Sequence, residues 1–143
     1  MKIRIIISMI FALTCAVALY WLPLSGEAQV SQSDAFAAKG RKLFTQYCVS
    51  CHGNDGKGHG PVEASLKTPP ADLTAIQKQG EKFPFIKVMI AIDGEKTDRA
   101  IVAHGSYDMP VWGVVFRRKG GDLEKQGSVY ALAKYIESIQ TAR

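Results

Sequence analysis

The stretch Cys48-Val49-Ser50-Cys51-His52 decides how this chain is read. Its two cysteines stand three residues apart at the end of a segment with helical patterning, so their sulfurs project from nearly one face. Two thiols so placed can add across the two vinyl groups of a haem and form thioether bonds. His52 follows at once, and its imidazole can turn under the ring toward the iron. C-x-x-C-H is the haem-attachment pattern. Rival readings of the pair explain less. A redox-active C-x-x-C belongs with a βαβ pattern, and no strand of convincing length is visible. A local disulfide is open to an exported protein, but neither rival calls for His52. With three cysteines in the chain, a four-cysteine zinc site is excluded.

Upstream, Phe36, Gly40, Leu43, Phe44 and Tyr47 fall at helical spacing, and Ser33 or Asp34 suits the cap. The spacing predicts a helix from about Asp34 to Cys48. Downstream, residues 53–82 are rich in Gly, Pro, Asp and Lys, with four glycines between Gly53 and Gly60. This predicts a long loop with at most one turn, over Glu63 to Lys67. A loop of this length is unusual in a compact domain, and it makes sense wrapped around a large ligand. Pro84 suits the first turn of a second helix, with Phe85, Val88, Met89 and Ile92 as its stripe and Gly94 as its end. Thr97 to Gly121 reads mostly as loop, with an exposed turn over Arg117-Arg118-Lys119-Gly120-Gly121. A third helix is expected from near Ser128, with Val129, Leu132, Ala133, Ile136 and Ile139 on one face.

The chain has 143 residues, of which 47% are apolar and 22% charged. That is the balance of one small globular domain, and a buried haem would enlarge its core. Residues 1–28 stand apart. Lys2 and Arg4 precede an uncharged stretch from Ile5 to Gly26, which ends in the small-x-small pattern Gly26-Glu27-Ala28. This reads as an export signal. The run is also nearly long enough to span a bilayer, so retention as an anchor stays open. Residues 29–143 then form the haem domain, on the periplasmic or otherwise exported side. The net charge is +5, which suits redox partners with an acidic docking face. No basic run with interleaved aromatics supports nucleic acid binding.

From about Ala35 to Gln140 the chain resembles the class I c-type cytochromes, the monohaem cytochrome c family. Three blocks carry the resemblance. The first is Gly40-x-x-x-Phe44-x-x-x-Cys48-x-x-Cys51-His52. The second is Gly53-Asn54-Asp55-Gly56-Lys57-Gly58-His59-Gly60-Pro61, followed by Leu66 and Pro70-Ala71-Asp72-Leu73. The third is Met109-Pro110-Val111-Trp112-Gly113. The resemblance implies an all-α cytochrome c fold: about three main helices, with long loops wrapping one covalently bound haem c. It implies that the first and last helices cross, with Gly40 admitting Leu132 and Tyr135 and with Phe44 beside them. It also implies that the Pro61 carbonyl accepts a hydrogen bond from the proximal histidine, His52.

Candidates for the second axial ligand are Met89, Met109, His59 and His104. Met89 lies on a helical apolar stripe, where methionine is ordinarily core filler. His59 follows His52 too closely to reach the opposite haem face with ease. Met109 lies outside the helical pattern, and Pro110 restricts its backbone to the extended region. The Met-Pro context matches the family's distal ligand, so Met109 is preferred over His104. Trp112 suits either a propionate contact or the core, and Arg99 a propionate or solvent.

The expected function is one-electron transfer rather than enzymatic turnover, because no nucleophile–base arrangement is visible. Two alternatives stay open. The chain could be a haem subunit of a larger oxidoreductase, or a ligand-binding or peroxidase-like haem protein if Met109 is labile.

Overall fold

A computed structural model describes residues 31–95 and 109–141 of the chain. Those residues form helices joined by loops and contain no strand: α1 Gln32–Tyr47, α2 Val49–His52, a 3-10 turn Glu63–Ser65, α3 Phe85–Asp93 and α4 Trp112–Ser138. The all-α expectation is met.

The cap of α1 sits at Ser31, earlier than the sequence pattern suggests. The Ser31 hydroxyl accepts from the Ser33 N–H at 3.3 Å, and Asp34 occupies the first turn, where a negative charge suits the helix dipole. The helix ends at Cys48, whose N–H still reaches the Phe44 carbonyl at 2.8 Å. The chain then passes directly into the single turn α2, stopped by Gly53 at φ 76°. Pro84 precedes α3 and Gly94, at φ 69°, closes it.

The largest departure from the sequence reading is α4. It starts at Trp112 rather than near Ser128, and it is two helical arms joined at a break. Gly120 (φ −161°, ψ 27°) and Gly121 (φ 73°, ψ −164°) leave helical geometry. The first arm is held by aromatic packing. Trp112 stacks on Phe116 at 5.9 Å between centroids, and Phe116 meets Tyr47 edge-on at 5.7 Å. The second arm is helical from Asp122 because its charges find partners: Glu124 accepts from the Ser128 hydroxyl and Lys125 pairs with Asp93 and Glu95.

The core joins all three long helices through Phe44, Val88, Ile92, Phe116, Val129, Leu132, Ala133 and Ile136. Each large apolar side chain removed from water contributes about 1.5–3 kcal/mol before entropy is counted. The expected crossing of α1 and α4 is present. A Cβ on Gly40 would land on the Ala131 carbonyl and lie 2.8 Å from the Tyr135 Cβ. Ala131, rather than Leu132, is therefore the residue that needs Gly40, together with Tyr135. Phe44 lies 5.1 Å from Tyr135, ring to ring.

One buried polar residue ties the loops to this frame. The Gln140 amide donates to the carbonyls of Leu73 and Ile136 at 2.6 and 2.7 Å and accepts from the Gln77 N–H at 2.8 Å. Thr141 N–H adds a bond to the Thr74 carbonyl at 2.9 Å. Buried polar groups satisfied in this way hold their neighbours in one arrangement.

Candidate functional site

Cys48, Cys51 and His52 come together at the junction of α1 and α2, and both thiols are free. Burial, and then the neighbouring Cys51, push the Cys48 thiol up to about 12, so it stays protonated at neutral pH. The Ser50 hydroxyl donates to the Cys51 sulfur at 3.9 Å.

His52 is half-buried, and its Nδ1 donates to the Ala71 carbonyl at 3.2 Å. Burial lowers its pKa, and the bond to Ala71 offsets this in part. The ring is therefore neutral at pH 7, with its proton on Nδ1 and a lone pair on Nε2. That is the tautomer an iron ligand requires, oriented by its other nitrogen.

The carbonyl that meets His52 corrects the expectation for Pro61. Gly60 and Val62 donate to the Cys51 and Ser50 carbonyls at 3.0 and 3.1 Å, so this segment folds back against α2 and leaves Pro61 exposed. The Pro70-Ala71 segment arrives at the imidazole instead. Two backbone bonds bring it there: Gly58 N–H to the His52 carbonyl at 2.9 Å, and Leu73 N–H to the Gly56 carbonyl at 2.8 Å. Gly58 is essential to the approach. Its φ is 91°, and a Cβ there would land on the Pro70 carbonyl. Beyond Ala71, Asp72 accepts from the Thr74 N–H and hydroxyl at 2.8 and 2.7 Å. Those bonds, the hydroxyl's first, hold its carboxyl below the usual range.

The remaining sequence candidates fall in different surroundings. His59 is exposed and pairs with Glu63 at 3.1 Å. Met89 packs against the core from α3. Met109 is half-buried just ahead of α4, and Pro110 and Val111 beside it are exposed. Trp112 packs on Phe116 and lies 5.3 Å from the Tyr47 ring. His104, Arg99 and residues 1–28 lie outside the described residues.

The donor set fits a covalent haem. Among the described residues no group of three or more His, Cys, Asp or Glu could hold a metal ion. Two free thiols beside a neutral, pre-oriented imidazole have the chemistry of two thioether partners and one axial nitrogen, the set that a haem needs. Sequence reasoning missed the Ala71 carbonyl, although Pro70-Ala71-Asp72-Leu73 belongs to one of the blocks that carry the resemblance. It also missed Gln140, for which the sequence carries no signal.

The comparisons with known proteins bear on the same stretch. A family model described as cytochrome C oxidase, cbb3-type, subunit III matches residues 35–119. The match runs from the first turn of α1, through Cys48–His52 and the glycine loop, to the last residue before the Gly120–Gly121 break. No curated protein and no solved structure matches the chain.

Proposed function

Because the chain belongs to this family of c-type cytochrome domains, we propose that it is a one-electron carrier whose haem is attached at Cys48 and Cys51 and ligated by His52 and Met109. A c-type cytochrome holds haem c covalently and uses it for electron transfer, and the bound group supplies a one-electron iron couple. The protein supplies the surroundings. Cys48 and Cys51 fix the ring to the end of α1, and His52 presents Nε2 while Ala71 holds Nδ1. Met109 offers a soft thioether that favours the ferrous state. The observation that carries the reading is the His52–Ala71 hydrogen bond beside two free thiols.

Attachment is tested by changing Cys48 and Cys51 together to Ala. Haem should then extract into acidified organic solvent, and haem that stayed bound would overturn the assignment. The carrier reading is tested by an optical redox titration of the purified protein. One single-electron step, a Met–iron band at the red edge of the ferric spectrum and poor carbon monoxide binding are expected. Ready binding of carbon monoxide would replace the carrier with an open, ligand-binding site.

The family's description names an oxidase subunit, and this favours a second reading, that the chain passes electrons while docked in such a complex. Its positive charge suits an acidic face on the partner, and raised ionic strength should then slow electron exchange. We read residues 1–28 as a cleaved export signal, with Gln29 as the mature N-terminus. No helix of the described residues is long and apolar enough to cross a membrane. Mass spectrometry of exported protein tests the cleavage, and an intact Met1 would make the segment an anchor.

A further inference from the structure

The C-terminal end of α3 and the first arm of α4 are joined by more than apolar packing. Glu95, just past α3, meets the Arg117 guanidinium through both carboxylate oxygens. Lys125, beyond the glycine break, reaches Glu95 at 3.0 Å and Asp93 at 3.1 Å. Arg117 also reaches Asp122 at 2.8 Å, across the break itself. Two backbone approaches lie beside these charges. A Cβ on Gly94 would sit 3.4 Å from Val111, and one on Gly113 would land on the Asp93 carboxylate. Glu95 and Lys125 are only 15% exposed. Their contact is therefore less screened than that of a fully exposed surface pair.

The segment so clamped begins two residues after Met109. Pro110 fixes its own φ, Val111 rests on Gly94, and Trp112 opens the arm that Arg117 ties to Glu95. We propose that Glu95, Arg117 and Lys125 are positioning residues for Met109, and that their network sets how firmly the sixth ligand is held. The inference rests on the reading of Met109 as that ligand. With the network intact, an incoming ligand must displace a thioether whose backbone is anchored to α3. With it broken, the first arm can turn about Gly120–Gly121 and the thioether leaves more readily.

The test is imidazole binding to the ferric holoprotein, followed by loss of the Met–iron band and paired with a thermal melt. Glu95→Gln and Arg117→Gln are each expected to raise apparent imidazole affinity about tenfold, a coupling of ordinary size between two sites. Arg117 is 43% exposed, so its variant reports even where Glu95→Gln folds poorly. Arg117→Lys, which keeps the charge, should stay nearer the parent. Lys39→Gln breaks a different ion pair onto α4, to Glu124 at 3.8 Å, and should leave imidazole affinity unchanged. Variants that melt earlier yet bind imidazole as the parent does would overturn the proposal and leave Met109 as ligand. A Met–iron band that survives in Met109→Ala would remove the ligand reading, and the proposal with it.

Discussion

The Nδ1 of His52 donates to the carbonyl oxygen of Ala71 at 3.2 Å, across nineteen residues of chain. The bond exists because the glycine loop lets the Pro70-Ala71 backbone lie against α2. It chooses the imidazole tautomer, with the proton on Nδ1 and the lone pair on Nε2.

Gly58→Ala should break that relationship from a distance. The residue stands at φ 91°, and its new Cβ would meet the Pro70 carbonyl. Backbone strain of this kind costs about 1–3 kcal/mol. An imidazole that loses its acceptor is a weaker donor to ferric iron, so the reduction potential should rise. Redox titration of the variant checks this, and an unchanged potential would show that Ala71 keeps its place.

Gly40 and Gly127 should respond to the same change in opposite senses. Gly40→Ala drives a methyl into the Ala131 carbonyl at the α1–α4 crossing and should cost about 1–3 kcal/mol, as overpacking does. At Gly127 the nearest atom to a new Cβ is the end of Lys39, 3.7 Å away. Gly127→Ala should therefore stabilise α4 by up to about 1 kcal/mol through helix propensity. Urea midpoints at constant m-value measure both.

Met109→Ala should lose the Met–iron band, lower the potential and bind carbon monoxide in the ferrous state. Met89→Leu conserves volume in the core and should cost less than about 1.5 kcal/mol, with the band intact. His104→Ala should also keep it. A band lost in either of these two variants and kept in Met109→Ala would reassign the ligand.

Stability should fall in acid through two carboxylates. The Thr74 hydroxyl and N–H lower the Asp72 pKa, and bonds from Lys125 and Arg117 lower that of Glu95. A carboxylate whose pKa is lower folded than unfolded contributes stability above its unfolded value, and loses it as pH drops through the folded value. The loss should therefore begin near pH 4, around the ordinary carboxylate values. Asp72→Asn keeps an acceptor for Thr74 but cannot titrate, so its acid transition should be shallower. Denaturant unfolding at pH 7 and pH 3 compares the two, and identical slopes would rule Asp72 out.

Much of this architecture is legible without coordinates. The helices around Phe44 and Val88 announce themselves because their apolar residues recur at one local period. Cys48, Cys51 and His52 are readable because a single turn of helix is enough to bring their side chains together. The first arm of α4 is not readable in the same way. Arg117-Arg118-Lys119-Gly120-Gly121 looks like a solvated turn, and it is helical up to Lys119 because Trp112 and Phe116 pack on Tyr47, some 65 to 70 residues earlier in the chain. The charged start of the second arm is likewise helical because Lys125 finds Asp93 and Glu95.

What the sequence by itself determined was the placement of two thiols and an imidazole on one helical turn, with a glycine loop able to pass close to them. Only the tertiary structure decided that the carbonyl facing His52 belongs to Ala71 rather than Pro61, and that Ala131 is the residue lying over Gly40. Every residue carries a carbonyl, so the choice among them is invisible in side-chain identity. It is made by which backbone can come nearest, and that depends on contacts between segments far apart in the chain.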